Sequence, residues 1–259
     1  MIQVSVTSIA GIRTNEIILG EGLPVVMLHG WGANLQLMQP LAERLATMGF
    51  RCYVPDLPGF GQTEKPPAGW SVHDYTNWVL AYLDFHQLTQ VYVIGHSFGG
   101  RLSLVLGAQH SQRIRKMILA NSAGVPYKSN QSASLRLKTY RLALNTLNRI
   151  GLQQPANQLR HWYTERYGST DYKAATGTMR ETFVKVVNED LLPFAAQVKP
   201  STLLIWGGQD EDTPLWQGQL LEKTIPDAGL VVYDDAGHYS YLDRLPDATR
   251  VIDHFFKHD

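Results

Sequence analysis

Short apolar runs alternate with helical patterns along most of the chain, and this alternation is what most constrains its fold. Two runs, 4–7 and 16–19, lead the sequence. Six more, rich in Val, Ile and Leu, lie at 24–28, 51–55, 91–94, 117–120, 202–206 and 230–233. Such continuous apolar character is typical of strands buried on both faces. Helical spacing separates them at 35–48, 74–85, 99–109, 215–224 and 247–256. The pattern predicts an α/β fold: a mostly parallel, doubly wound sheet of about eight strands.

The interval from Ser122 to Pro200 interrupts this alternation. It contains no convincing strand, but it has amphipathic stretches at 134–147 and 156–167. A helical insertion of about 75 residues is too long to be a loop. We expect a lid over the sheet edge where ligands bind in open α/β folds. On this interpretation 1–121 and 201–259 form the core domain and 122–200 forms the helical cap.

Composition and charge exclude several classes of protein. The 259 residues include 23 basic and 23 acidic side chains, a balance that argues against a nucleic-acid partner. The single cysteine, Cys52, excludes internal disulfides and a Cys-based zinc site. No signal peptide and no membrane span is apparent, so we expect a cytoplasmic protein. The oligomeric state cannot be read from the sequence.

The net charge of the whole chain is zero, but the insertion is basic. Residues 122–200 carry 11 basic and 5 acidic side chains. One interpretation is a solvated basic helix face that docks on an acidic body. The other is that some of these cations, such as Arg136, Lys138 or Arg141, attract an anionic substrate.

The strongest chemical signal is Gly-His-Ser-Phe-Gly at 95–99, between a predicted strand and a predicted helix. This spacing predicts a nucleophile elbow, a turn so tight that its flanking positions must be glycine. Ser97 is then the nucleophile, held in a strained backbone conformation. The helix N-terminus behind it favours developing negative charge.

A serine nucleophile needs a base, and the base needs an acid to orient it. In a chain of this kind the acid and then the histidine follow the serine. Asp210, Glu211 and Asp212 all follow the run at 202–206. Thr213 before Pro214 suits a helix N-cap, which makes Asp212 a capping or dipole partner. Asp210 is therefore favoured as the acid.

Among the nine histidines, His238 alone lies on the loop that this order requires, after the last predicted strand. Gly237 permits the turn that presents it. The backbone N–H groups of Trp31 and Phe98 are candidates for the oxyanion hole. His29 lies in the wrong place to be the base, and we expect it to brace its loop.

These features together resemble the α/β-hydrolase fold superfamily, in its capped branch of small serine esterases and related hydrolases. The matching motifs are His-Gly-Trp-Gly at 29–32, D-x-x-G-x-G at 56–61, G-x-S-x-G at 95–99, W-G-x-x-D-x-x-x-P at 206–214 and Gly-His at 237–238. The resemblance implies a serine hydrolase that cleaves small-molecule carboxylic esters through an acyl-enzyme. It implies catalytic Ser97, Asp210 and His238, and it implies no metal or organic cofactor.

Related chemistries remain as alternatives. Dehalogenases and epoxide hydrolases of this superfamily carry aspartate at the elbow, so Ser97 speaks against both. Carbon–carbon hydrolases of ring-fission products and thioesterases use the same triad. The carbon–carbon branch often has a basic residue where this chain has Gly208, which favours ester hydrolysis. A ligand receptor that keeps the pocket without using the triad is a further alternative.

Aromatic residues near the predicted triad are candidates for substrate binding: Trp31, Phe60, Phe98 and Tyr239. A second set lies in the insertion: Tyr127, Tyr140, Trp162, Tyr163, Tyr167 and Phe183. We expect at least half of the second set to pack the lid onto the core rather than line a pocket.

Overall fold

The computed structural model describes residues 2–126, 131–167 and 169–258. Its strands are Ile2–Ile9 (β1), Ile12–Leu19 (β2), Leu23–Leu28 (β3), Phe50–Pro55 (β4), Val91–His96 (β5), Ile114–Ala120 (β6), Ser201–Gly207 (β7) and Ala228–Tyr233 (β8). They form one sheet in the order β1-β2-β4-β3-β5-β6-β7-β8. β2 pairs antiparallel with β1 and β4, and every other pairing is parallel. The predicted fold class is confirmed, and each of the eight apolar runs lies within a strand.

Helices connect the strands and cover both faces of the sheet. The core helices are Leu35–Ala46 (α1), Val72–Phe85 (α2), Phe98–Gln109 (α3), Leu215–Thr224 (α9), Ser240–Asp243 (α10) and Leu245–Lys257 (α11). α1 and α11 bury their apolar stripes in one core cluster, and α2 and α3 bury theirs in another. Two separate cores are what a doubly wound sheet requires, because each face must be covered.

Local signals explain where these helices begin. At α2 the Ser71 hydroxyl accepts a hydrogen bond from the Asp74 backbone N–H, and the Asp74 carboxylate accepts one from the Ser71 N–H. This reciprocal capping box satisfies two donors that a helix N-terminus otherwise leaves unpaired.

The described part of the interval between β6 and β7 contains helices and no strand. Its helices are Gln131–Arg149 (α4), Gln153–Tyr167 (α5), Thr170–Ala174 (α6), Gly177–Asn188 (α7) and Leu192–Ala195 (α8). α4 packs against α5. α7 docks on the sheet-bearing part of the chain, where the buried Thr182 hydroxyl accepts a 2.9 Å hydrogen bond from the Trp70 N–H. The division into a core domain (1–121 and 201–259) and a cap (122–200) stays a prediction.

A membrane span would need a long apolar helix. Among the described residues no helix combines the length and the hydropathy for that role.

Candidate active site

Ser97 lies in a tight turn between the central strand β5 and helix α3. Its backbone has φ 50° and ψ −107°, a left-handed conformation that is strained for a residue with a side chain. A Cβ on Gly95 would lie 2.3 Å from the Ser103 hydroxyl, and one on Gly99 would lie 2.0 Å from the Leu28 carbonyl oxygen. The elbow therefore requires glycine on both sides of the serine, as the sequence predicts.

Asp210 and His238 meet at the carboxyl ends of β7 and β8. The His238 Nδ1 lies 2.9 Å from Asp210 Oδ2 and 3.1 Å from Oδ1. With Nδ1–H donating to the carboxylate, Nε2 carries the free lone pair that a general base needs. The structure thus brings together the predicted acid and base, and it does so with Asp210 rather than Asp212.

Four donors besides His238 surround the Asp210 carboxylate. Oδ1 accepts from the backbone N–H groups of Asp212 and Thr213, each at 2.9 Å. Oδ2 accepts from the Thr213 hydroxyl at 2.6 Å and from Asn121 Nδ2 at 2.5 Å. Burial raises the pKa of Asp210, but the hydrogen bonds from His238 and Thr213 outweigh it and lower the pKa to about 2. The carboxylate is therefore ionised at neutral pH.

Thr213 does not cap helix α9, and that prediction was wrong. The N-cap is Pro214, which makes no side-chain capping bond. The Thr213 hydroxyl faces the Asp210 carboxylate at 2.6 Å and the Asn121 carbonyl oxygen at 3.1 Å. Since these buried acceptors engage the hydroxyl, the helix begins one residue later, at Leu215.

Ser97 and His238 make no direct hydrogen bond within the part of the chain that the structure describes. Catalytic hydrogen bonds are often long in unliganded enzymes and tighten only in the substrate complex. The two residues are linked through His96, which precedes the nucleophile and packs its ring 4.8 Å from the ring of His238. His96 Nε2–H also donates to the His238 carbonyl oxygen at 3.0 Å.

His96 is fully buried, and sequence analysis assigned it no role. Burial, together with the neighbouring His238, lowers the pKa of His96 to about 3. A neutral ring beside His238 positions the catalytic loop without adding a competing charge. Only its adjacency to Ser97 in the sequence hinted at this function.

The two predicted oxyanion donors are both available. Across the described residues, neither the Trp31 N–H nor the Phe98 N–H donates to a protein atom. The Gly99 N–H donates to the His29 carbonyl oxygen at 3.1 Å and ties the two loops together. His29 Nε2 accepts from the Leu57 N–H at 2.9 Å. His29 therefore braces its loop, as expected, whereas the oxyanion role of the two N–H groups stays a prediction.

A pocket of about 270 Å³ opens beside Ser97 and contains Trp31 and Phe98 in its lining. Phe60 lines a neighbouring cavity of about 200 Å³, which it shares with Trp31. Tyr239 is 38% exposed and packs its ring 5.0 Å from that of His96. The structure therefore places all four predicted substrate-binding residues around the site, in three different positions.

The aromatic residues of the insertion make contacts other than the predicted packing of the lid onto the core. Phe183 lines the Ser97 pocket. Tyr140 of α4 stacks on Tyr163 of α5 at 3.9 Å, and Trp162 contacts Tyr167 edge-on. The first contact joins α4 to α5, and the second lies within α5, so these contacts are made inside the insertion. Tyr127 lies outside the described residues.

The predicted lid cations do not line the pocket either. The Arg136 guanidinium stacks 3.9 Å from the centre of the Tyr167 ring, and Lys138 and Arg141 are exposed. Besides Thr213, two buried polar residues line it, Arg101 of α3 and Gln217 of α9. Sequence analysis missed both, although Arg101 lies four residues after Ser97 and so on the same helix face.

Two other features of the described residues could act as sites. Asp210, Asp212 and His238 have ligand atoms within 4.8 Å of one another. Asp210 and His238 Nδ1, however, are already hydrogen-bonded to each other. A cavity of about 850 Å³ runs between the edge strand β8 and helix α11, and no predicted site residue lines it.

Comparison with known proteins agrees with the fold. The family model for the alpha/beta hydrolase fold matches residues 24–245. The chain belongs to the α/β-hydrolase fold family.

Two curated relatives of this α/β hydrolase are informative. It is 28% identical over 260 residues to a 2-hydroxymuconate semialdehyde hydrolase from Pseudomonas putida, covering 95% of this chain and 91% of the relative. It is 26% identical to Lipase 1 from Psychrobacter immobilis, covering 88% and 75%. The fold is also that of a meta-cleavage product hydrolase from Pseudomonas fluorescens IP01, with a TM-score of 0.74, 21% identity and 97% of each chain covered.

Proposed function

We propose that this α/β hydrolase is a serine hydrolase that cleaves the carbon–carbon bond beside a ketone or aldehyde carbonyl group in ring-fission products, whose keto tautomers are vinylogous dicarbonyl compounds. The hydrolase chemistry rests on the contact between Asp210 and His238 at the same sheet edge as the Ser97 elbow. The choice of bond rests on the relative named as a 2-hydroxymuconate semialdehyde hydrolase, which matches nearly the whole chain. This reverses the preference for esters that Gly208 suggests.

The triad would act in two halves. His238 Nε2 accepts the Ser97 proton as the serine oxygen adds to the carbonyl carbon, and Asp210 stabilises the imidazolium. The N–H groups of Trp31 and Phe98 hold the oxyanion, each contributing about 3 kcal/mol. The addition takes place on the keto tautomer of the substrate, in which the enol proton has moved to the carbon beside the reacting carbonyl group. The carbon–carbon bond then breaks, its electron pair passes into the conjugated system as a dienolate, and the dienolate takes the proton from His238. Water, deprotonated by His238, hydrolyses the acyl-enzyme and restores Ser97.

Ester hydrolysis is the second candidate, because the same acyl-enzyme forms when the leaving group is an alkoxide. Two observations favour it: the similarity to a lipase along most of the chain, and Gly208 in the acid loop. Both candidates share every catalytic group, so only the substrate separates them.

A paired turnover assay tests the proposal. The purified chain is offered 2-hydroxymuconate semialdehyde and p-nitrophenyl butyrate, and loss of dienol absorbance is compared with nitrophenolate release. We expect a higher kcat/KM for the dienol. We also expect Ser97→Ala to lose about a thousandfold or more on both substrates, since it removes the nucleophile.

The control is Ser111→Ala, in the short 3-10 helix Ser111–Arg113 that follows the C-terminal end of α3, remote from the elbow. An ester kcat/KM more than tenfold above that of the dienol would replace the carbon–carbon proposal with the ester candidate. Undiminished turnover by Ser97→Ala, or no labelling of the folded chain by a fluorophosphonate, would contradict serine hydrolysis altogether.

A further inference from the structure

The buried carboxylate of Asp56 has no part in the triad, although it begins the D-x-x-G-x-G motif at 56–61. Asp56 directly follows strand β4 and is 1% exposed. A buried carboxylate needs hydrogen-bond donors, because removing its charge from water is costly. Asp56 has three donors from three different segments of the chain, and one of these segments carries the predicted oxyanion donor Trp31.

One oxygen of Asp56 is bonded to β2 and to the loop that follows β4. Its Oδ2 accepts hydrogen bonds from Asn15 Nδ2 at 2.8 Å and from the Gln62 N–H at 2.9 Å. The Asp56 backbone N–H donates to the Asn15 carbonyl oxygen at 2.8 Å. A Cβ on Gly61, where φ is 53°, would lie 2.1 Å from the same Oδ2. The loop therefore closes tightly around the carboxylate and fixes its position.

The other oxygen of Asp56 holds the segment that carries Trp31. Residues 29–34, the oxyanion loop, join β3 to α1. Asp56 Oδ1 accepts a 2.7 Å hydrogen bond from the N–H of Leu35, the first residue of α1. The first N–H groups of a helix have no partner within the helix, and they favour a negative charge nearby. The Asp56 carboxylate therefore fixes the end of the oxyanion loop, four residues after Trp31.

The residues that follow Asp56 hold the start and the middle of the same loop. The Leu57 N–H donates to His29 Nε2 at 2.9 Å. The Phe60 ring lies edge-on to the Trp31 ring, with 4.9 Å between the ring centroids. The oxyanion loop is thus attached to residues 56–60 at both ends and through the Trp31 side chain. Catalytic groups must lie within a fraction of an ångström of their productive position, and such a support provides that precision.

We propose that Asp56 is a positioning residue for the oxyanion hole, and that it places the Trp31 N–H through its hydrogen bond to Leu35. This inference rests on the hydrolase function proposed above. The described residues that line the Ser97 pocket do not include Asp56, so it acts through the backbone of residues 31–35. The oxyanion forms only when Ser97 adds to the carbonyl group. Loss of the Asp56 carboxylate should therefore slow the chemical step without weakening substrate binding.

Asp56→Asn is the first test, since it keeps the shape of the side chain and removes one acceptor. In one orientation the new amide Nδ2 faces the Leu35 N–H, and in the other it faces both Asn15 Nδ2 and the Gln62 N–H. The orientation that loses fewer hydrogen bonds releases Leu35. With p-nitrophenyl butyrate we expect kcat to fall about tenfold or more while KM stays within about twofold.

A transition-state analogue gives a second measurement on the same variant. Butaneboronic acid forms a tetrahedral adduct with a serine nucleophile, and one of its oxygens then occupies the oxyanion hole. Its inhibition constant should rise in Asp56→Asn by about the factor by which kcat/KM falls. An inhibition constant equal to that of the parent chain would overturn the inference.

Glu16→Gln is the matched control, because Glu16 is a fully buried carboxylate that pairs with Pro55 in the sheet, next to Asp56. It accepts hydrogen bonds from Ser5 Oγ at 3.0 Å and from His86 Nε2 at 2.8 Å, and neither partner belongs to the oxyanion loop. Both substitutions remove a charge from a buried hydrogen-bonded group, so both should lower the urea midpoint. Only Asp56→Asn should lower kcat. Equal kcat losses would overturn the positioning role, because they would trace the effect to stability alone.

A second pair of variants decides the matter if Asp56→Asn does not fold. Leu35→Pro removes the N–H that Asp56 accepts. Proline suits the first position of a helix, and Asn34 before it is already extended, with φ −151° and ψ −179°. Leu35→Ala shortens the same buried side chain but keeps the N–H. We expect the kcat of Leu35→Pro to lie about fivefold or more below that of Leu35→Ala, and equal values would contradict the inference.

The inference and the proposed function fail separately. A chain that hydrolyses the ester but not the dienol loses the carbon–carbon proposal, and the kcat of Asp56→Asn on the ester still decides the role of Asp56. A chain that hydrolyses the dienol, and whose Asp56→Asn variant keeps the parent kcat, retains the function and loses the inference. A folded chain that hydrolyses neither substrate loses both.

Discussion

Thr213 bonds through its side chain to Asp210, the predicted catalytic acid. Its single hydroxyl proton faces two acceptors, Asp210 Oδ2 at 2.6 Å and the Asn121 carbonyl oxygen at 3.1 Å. Hydrogen bonds to a charged group contribute more than neutral ones. The hydroxyl therefore acts as a positioning group that holds the carboxylate in the orientation His238 requires.

We expect Thr213→Val, which is nearly isosteric, to lower kcat about tenfold with little change in KM. The unfolding free energy should fall by about 1–3 kcal/mol because a buried acceptor loses its donor. Steady-state kinetics and urea unfolding measure the two effects. Thr249→Val is the control, since the Thr249 hydroxyl is equally buried but bonds to the Leu245 carbonyl oxygen in α11. Equal kcat values for the two variants would contradict a positioning role.

At the scale of elements, the catalytic turn depends on how closely helix α3 approaches strand β3. The Gly99 N–H donates to the His29 carbonyl oxygen at 3.1 Å, just after β3 ends. A Cβ on Gly99 would lie 2.0 Å from the Leu28 carbonyl oxygen, which is backbone and cannot rotate away. The elbow and the loop after β3 can therefore approach this closely only because residue 99 has no side chain.

Gly99→Ala is therefore expected to destabilise the chain by about 4 kcal/mol or more, the range in which core overpacking becomes severe. Urea unfolding gives the difference. Gly229→Ala in β8 is the matched control, because its nearest neighbour would be Leu203 Cδ1 at 3.7 Å, an ordinary contact. Similar losses of unfolding free energy in the two variants would show that a methyl group fits between α3 and β3, which would contradict the prediction.

The helices of the insertion differ in whether they reach the Ser97 pocket. Its α4 and α5 carry the exposed cations Lys138 and Arg141, whereas α7 reaches the pocket with Phe183 and with the Val187 carbonyl oxygen that Arg101 binds. Helical periodicity predicted that these segments are helices. It carried no information about which of them approaches Ser97, because that depends on packing between distant segments.

At the scale of the whole molecule, two buried histidines link stability to pH. Burial lowers the pKa of His29 to about 4 and that of His96 to about 3. An unfolded histidine has a pKa near 6.5, so on acidification the unfolded chain binds protons first. The stabilisation is complete above about pH 6.5 and is lost as pH falls toward the folded-state pKa values.

When the pH falls from about 7 to about 5, the unfolding free energy should therefore fall by about 2 kcal/mol for each of these histidines. Urea unfolding at intermediate pH values measures the slope. His96→Gln should make it shallower by about half, whereas His161→Gln, at an exposed position of α5, should not change it. A His96→Gln slope parallel to that of the parent chain would contradict the assignment.

The sequence by itself determined the order of strands and helices, the Ser97 elbow and the choice of Asp210 and His238. Periodicity, glycine spacing and chain order are properties of the sequence itself, and they are present in any chain that adopts this fold. Only the tertiary structure decided the roles of Thr213, His96, Arg101 and Gln217. Each depends on a hydrogen bond, a ring contact or a shared pocket wall that joins segments far apart in the sequence. Such contacts arise from packing, and a linear pattern does not encode them.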